Sequence, residues 1–120
     1  MAILSTSTLT KDSVVNAKGE DLGTIKDFVI DTNNGRVAYA VLSFGGLWGL
    51  GDKLFAVPMD ALTVDTTNER FMTNLRKDQL ESAPGFDQNN WPSMSNPTFI
   101  DSLYTHYGYE PYSERDLVMA

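Results

Sequence analysis

The sequence predicts a mostly β protein: about six short strands folded as a small barrel or sandwich, then an aromatic-rich extension with one helix. Three observations predict it. Turn dipeptides punctuate the first two thirds of the chain at regular intervals. The runs between them are apolar or alternating. The composition then changes abruptly at Pro84.

The first strand contains Val14 and Val15, and Lys18-Gly19 turns the chain. The run from Gly23 to Asp31 follows. Its alternation places Phe28 and Ile30 on one face and Ile25 and Val29 on the other, with Lys26 and Asp27 breaking the pattern. Asn34-Gly35 between two apolar runs is a strong hairpin signal, because both residues of the tightest turn need positive φ. The run VAYAVLSF is apolar on nearly both faces and reads as a central strand. KLFAV over 53–57 is another strand, stopped by Pro58. TVDT over 63–66 and RFMTNL over 70–75 form a last hairpin. A short helical turn over 77–82 ends before Pro84.

Residues 84–112 hold no Lys or Arg, four of the five prolines and seven of the thirteen aromatics. A disordered linker is poor in aromatics, so this segment is expected to dock. Its helix starts at Asn96 as the cap and Pro97 in the first turn, and stops at Gly108. Ile100, Leu103, Tyr104 and Tyr107 form an i, i+3, i+4, i+7 stripe. The stripe packs either on the β domain or on a second copy of the chain.

Bulk properties narrow the function. The chain has 120 residues, no cysteine and a net charge of −7. Without cysteine there are no disulfides, thiolate metal sites or thiol nucleophiles. The acidic balance disfavours nucleic acid as a partner. No run approaches the roughly 20 apolar residues of a membrane span, and MAILSTSTLT lacks a signal peptide's basic start. A cytoplasmic location without membrane insertion is expected.

The stretch SFGGLWGLGDKLFAVP invites a phosphate-loop reading and fails it. Counting from Gly46, Gly51 is in register, but Asp52 stands where a Walker loop needs lysine. The dinucleotide pattern G-x-G-x-x-G is absent, and a strand follows rather than a helix. The glycines instead allow a sharp turn carrying Leu47, Trp48 and Leu50, large apolar residues that either cover the chain's own core or meet a partner. Asp27 and Asp31 sit roughly 13 Å apart along a strand, too far for a glycosidase pair at roughly 5–9.5 Å. A calcium loop at Asp31 fails because Gly35 and Leu42 occupy ligand positions. His106 is the lone histidine and assembles neither a zinc site nor a triad. No catalytic residue, metal ligand or cofactor-binding residue is expected, and the protein reads as a non-enzyme.

The order NAKGEDLGTIKDFVIDTNNGRVAYAVLSFGG, then GDKLFAVPMDAL, resembles the PRC-barrel family. The matching positions are Gly19, Leu22, Gly23, Ile25, Asp27, Ile30, Asp31, Gly35, Val37, Val41, Leu42, Gly45, Lys53, Ala56, Val57, Pro58 and Leu62. Met59 departs from the aromatic many members carry after the proline. The core match covers 12–83, and the segments APGFD, Trp91-Pro92 and YGYEPY resemble the extension of stand-alone bacterial members.

The resemblance implies a six-stranded antiparallel PRC-type β-barrel over residues 1–83. Residues 84–120 then form an extension docked on the barrel or on a second subunit. It also implies a non-catalytic adaptor, since the reaction-centre H subunit and a ribosome maturation factor use such domains to bind macromolecules. The expected function is protein–protein interaction with self-association, a dimer being favoured. The expected contact set is Leu47, Trp48, Leu50, Phe86, Trp91, Tyr104, Tyr107 and Tyr109. The alternatives are a small-molecule sensor or stress-associated module, or an accessory to photosynthetic or electron-transfer complexes.

Overall fold

In a computed structural model, residues 4–10, 12–44, 53–82, 85–86 and 96–114 are described. A four-residue helix, α1 (Thr6–Leu9), is capped by Ser5, whose side chain accepts from the Thr8 N–H. Six strands follow: β1 (Ser13–Asn16), β2 (Asp21–Asp31), β3 (Arg36–Phe44), β4 (Lys53–Pro58), β5 (Leu62–Asp65) and β6 (Arg70–Thr73). A 3-10 turn over Met59–Ala61 links β4 to β5, and α2 (Lys77–Ser82) follows β6. The extension contributes α3 (Pro97–His106) and a 3-10 turn over Tyr112–Glu114.

The expected closed antiparallel barrel is not what forms. The strands make one open, mixed sheet in the order β4-β3-β2-β1-β6-β5. β1 and β6 run parallel, Val14 opposite Phe71 and Asn16 opposite Thr73. The edge strands β4 and β5 share no ladder. Two physical reasons are local to β4. Pro58 has no N–H to donate at its end, and Phe86 occupies its outer edge instead. Phe86 exchanges both backbone hydrogen bonds with Leu54, each 2.9 Å.

The turns show how local chemistry positions the strands. Buried Asn16 ties the β1–β2 connection: its side-chain oxygen accepts from the Lys18 and Glu20 N–H groups, each at 3.0 Å. The β2–β3 hairpin is longer than the two-residue turn expected. Asp31 pairs with Arg36, and the Gly35 N–H donates to the Asp31 carbonyl at 2.8 Å. Only Gly35 takes positive φ there, at 74°, so this is a four-residue loop ending in a left-handed glycine. The β5–β6 hairpin repeats the plan with Glu69 in that role, at φ 53°.

Bulges explain the second departure from the expected alternation. Register slips between Ile25 and Asp27, and again between Val29 and Ile30. Each slip changes which residues share a face. The extra residue of the first slip, Lys26 of β2, lets Ile25 and Phe28 be buried together; Ile30, near the end of β2, is 47% exposed. At Gly23, φ is 114° and an added Cβ would lie 2.0 Å from the Ser43 carbonyl oxygen. Only glycine lets the β2 backbone approach β3 so closely.

Core side chains lie on both faces of the sheet. Phe28, Ala40 and Val57 align across β2, β3 and β4, as do Ile25, Leu42 and Phe55. Phe71 sits between Val14 and Val64, and its ring centroid is 6.3 Å from that of Phe28. On the opposite face, Tyr39 and Val41 stand beside Pro58 and Ala56. That face would be open to water without the extension. α3 covers it, with Phe99 edge-on to Tyr39 at 5.9 Å. β3 is apolar on both faces because both faces are buried.

Candidate functional site

A concavity of about 570 Å³ lies at the seam between the sheet and the extension. Its floor and one wall come from the end of β2 and its turn, from Asp27 to Asn33, with Ala38 of β3. The other wall comes from Pro97, Ile100 and Asp101 of α3, and from Tyr112 and Ser113. The second register slip falls here, with Ala38 as the extra residue of β3 opposite the Val29–Ile30 step.

Helix α3 is placed by its own caps. The Asn96 side chain accepts from the Thr98 N–H at 3.0 Å, and Pro97 occupies the first turn. Leu103 and Tyr104 are buried on its inner side. The Tyr104 hydroxyl donates to the carbonyl of Ala38, just beyond Tyr39–Pro58, the last β3–β4 pair. A buried carbonyl at a strand end needs such a partner. Asn96 thus sets where α3 begins, and Tyr104 sets where it rests on β3.

Two carboxylates clasp the far wall. Asp31 accepts from the Tyr112 hydroxyl at 2.7 Å and from the Asn33 N–H at 3.0 Å. Asp101 accepts from the Ser113 N–H at 2.8 Å and from its hydroxyl at 2.5 Å. The Tyr112 ring packs 5.3 Å from that of Tyr104. Burial, then the hydrogen bond to Asp31, pushes the Tyr112 hydroxyl above its ordinary pKa. The third carboxylate, Asp27, is exposed and accepts from the neighbouring Phe28 N–H at 2.8 Å. The cleft therefore combines apolar side chains with three carboxylates, and among the described residues no Lys, Arg or His lines it.

A smaller cavity of about 220 Å³ lies under α3, among Ala56, Phe86, Phe99, Leu103, His106 and Tyr107. His106 is exposed and meets the Tyr107 ring edge-on at 4.8 Å. The Tyr107 hydroxyl is buried and has no hydrogen-bond partner among the described residues. Burial pushes it from 10.0 up to about 12. The Tyr39 hydroxyl is buried likewise, and its pKa is raised for the same reason.

The residues expected from sequence to contact a partner separate into three groups. Leu47, Trp48, Leu50 and Trp91 lie outside the described residues. Tyr104 and Tyr107 are 1% and 7% exposed, packed between α3 and the sheet of their own chain. Phe86 bridges to β4 and Tyr109 is half-buried against the core. The cleft residues Ile30, Ile100 and Asp101 were not singled out as contacts. The Lys26-Asp27 break in the alternation marks the first slip, which brings Ile25 and Phe28 to one face; no comparable signal in the sequence marks Ile30.

Among the described residues, no three of His, Asp or Glu gather as a metal site. No helix among them is long and apolar enough to cross a membrane. A search of curated proteins found no match to the chain. Residues 1–80 of the 120 match the family profile described as the PRC-barrel domain. That span takes in all six strands of the sheet, and the chain belongs to the PRC-barrel domain family.

Proposed function

We propose that the chain is a non-enzymatic protein-binding module whose docking site is the seam cleft between β2 and α3. One observation carries this reading: a cleft of about 570 Å³ with apolar walls opens beside Ile30, a large side chain left 47% exposed. Family membership supports the same class of function. Volumes of roughly 300–1,000 Å³ are typical of binding pockets, and exposed apolar patches mark interaction sites. The sheet supplies a rigid wall and the clasped extension supplies the opposing one. Tyr104 and Tyr107 act as struts that hold α3, rather than as contacts. The turn carrying Leu47, Trp48 and Leu50 is a second contact surface in this proposal, and dimerisation is one use of it.

Affinity capture with wild type, Ile30→Glu and a control, Lys77→Glu at an exposed position of α2, tests the reading. A partner held by wild type and by the control, and lost with Ile30→Glu, supports it. Capture unchanged by Ile30→Glu overturns it. Light scattering of the same three proteins reads whether the partner is a second copy.

A further inference from the structure

We infer that the cleft accepts an extended segment of a partner protein in which aliphatic side chains alternate with lysine or arginine. This rests on the cleft being the docking site and names what docks there. Three carboxylates, Asp27, Asp31 and Asp101, line the cleft beside Phe28, Val29, Ile30 and Ile100, and no cationic side chain lines it among the described residues. Outside this lining, Lys26 is next to Asp27 in sequence, and Arg36 stands opposite Asp31 in the ladder. Asp31 and Asp101 are also engaged by Tyr112 and Ser113. Asp27 accepts only from its neighbour's backbone among its described contacts, leaving acceptor capacity directed at solvent. The chain as a whole carries −7, so its field attracts cations toward the cleft.

The spacing favours a chain over a compact amine. Asp27 and Asp31 are four residues apart on a strand, roughly 13 Å. One cationic head group cannot meet both. An extended segment with a cation at every second residue can, while its intervening side chains face Ile30 and Ile100. Segments that dock in this way place alternate side chains into pockets.

Three fluorescein-labelled decapeptides test it: alternating Leu and Lys, the same with Glu for Lys, and the same with Ser for Leu. Anisotropy with the full chain is expected to show the Leu/Lys peptide binding about tenfold or more tightly than either relative. Asp27→Asn and Ile30→Ser are each expected to weaken it several-fold. Glu69→Gln, on the β5–β6 turn outside the cleft, removes the same charge as Asp27→Asn and is expected to leave binding unchanged. Equal binding of the Leu/Glu peptide overturns the inference. Equal weakening by Asp27→Asn and Glu69→Gln also does, since the attraction is then only bulk charge. If partner capture still depends on Ile30 while the lysines add nothing, the cationic assignment falls and the binding-module reading stands.

Discussion

The hydroxyl of Tyr104 donates to the carbonyl oxygen of Ala38, 66 residues earlier in the chain. The bond fastens the extension to the sheet at the point where β4 stops. Tyr104→Phe keeps the ring and removes the bond. The expected loss is about 1–3 kcal/mol, because a buried carbonyl is left without that donor. Urea unfolding of the two proteins measures it, with m unchanged if only stability moves.

Tyr107 predicts the opposite. Its hydroxyl is buried among apolar groups, so Tyr107→Phe should cost nothing at neutral pH. The two proteins should diverge in alkali. A tyrosine is neutral when protonated, and burial raises Tyr107 from 10.0 to about 12. Below pH 10 both folded and unfolded chains keep the proton. Between pH 10 and 12 the unfolded chain loses it and the folded chain holds it, so unfolding releases a proton and stability falls. The loss from this group reaches about 2–3 kcal/mol at pH 12. Tyr107→Phe should flatten the fall by that amount, as stability measured against pH will show.

Gly23→Ala should be among the most damaging single changes. The new Cβ would meet the Ser43 carbonyl oxygen at 2.0 Å, and φ is already 114°. Backbone cannot move aside as a flexible side chain can, so the β2–β3 ladder must open. Loss of the cooperative thermal transition is the expected result.

Glu69 holds a left-handed conformation, φ 53°, at the corner of the β5–β6 turn. The equivalent corner of the β2–β3 turn uses Gly35. Glu69→Gly removes a conformational cost of about 1–2 kcal/mol and adds unfolded-state entropy worth about 0.4–1 kcal/mol. A net gain of up to about 1 kcal/mol is expected, read as a higher urea midpoint.

Much of this was legible in the sequence. Asn34-Gly35, the alternating runs and Pro58 located the hairpins and strand ends, because turn chemistry is local. Asn96, Pro97 and the Ile100-Leu103-Tyr104-Tyr107 stripe located α3 for the same reason. Closure was not legible. Whether β6 meets β1 in parallel, and whether β4 meets β5, depends on contacts between residues far apart in the chain. The β4 edge was taken by Phe86, about thirty residues downstream of Leu54. The cleft was equally hidden, since it exists only once α3 docks on the sheet. Aromatic residues drew attention as partner contacts, yet burial of Tyr104 and Tyr107 inside the chain is what their area favours.

The Phe86 bridge lies beyond the span that matches the family profile. The family profile ends at residue 80, but β4 keeps its outer edge paired, and Tyr39 and Val41 stay dry, only through residues beyond that limit. A chain ending at Ser82 would carry every strand and still present a bare strand edge next to an uncovered apolar face. Such a surface templates aggregation. The extension is therefore the sheet's guard as well as one wall of its cleft, and anything that pried α3 away would uncover Tyr39, Val41 and Ala56.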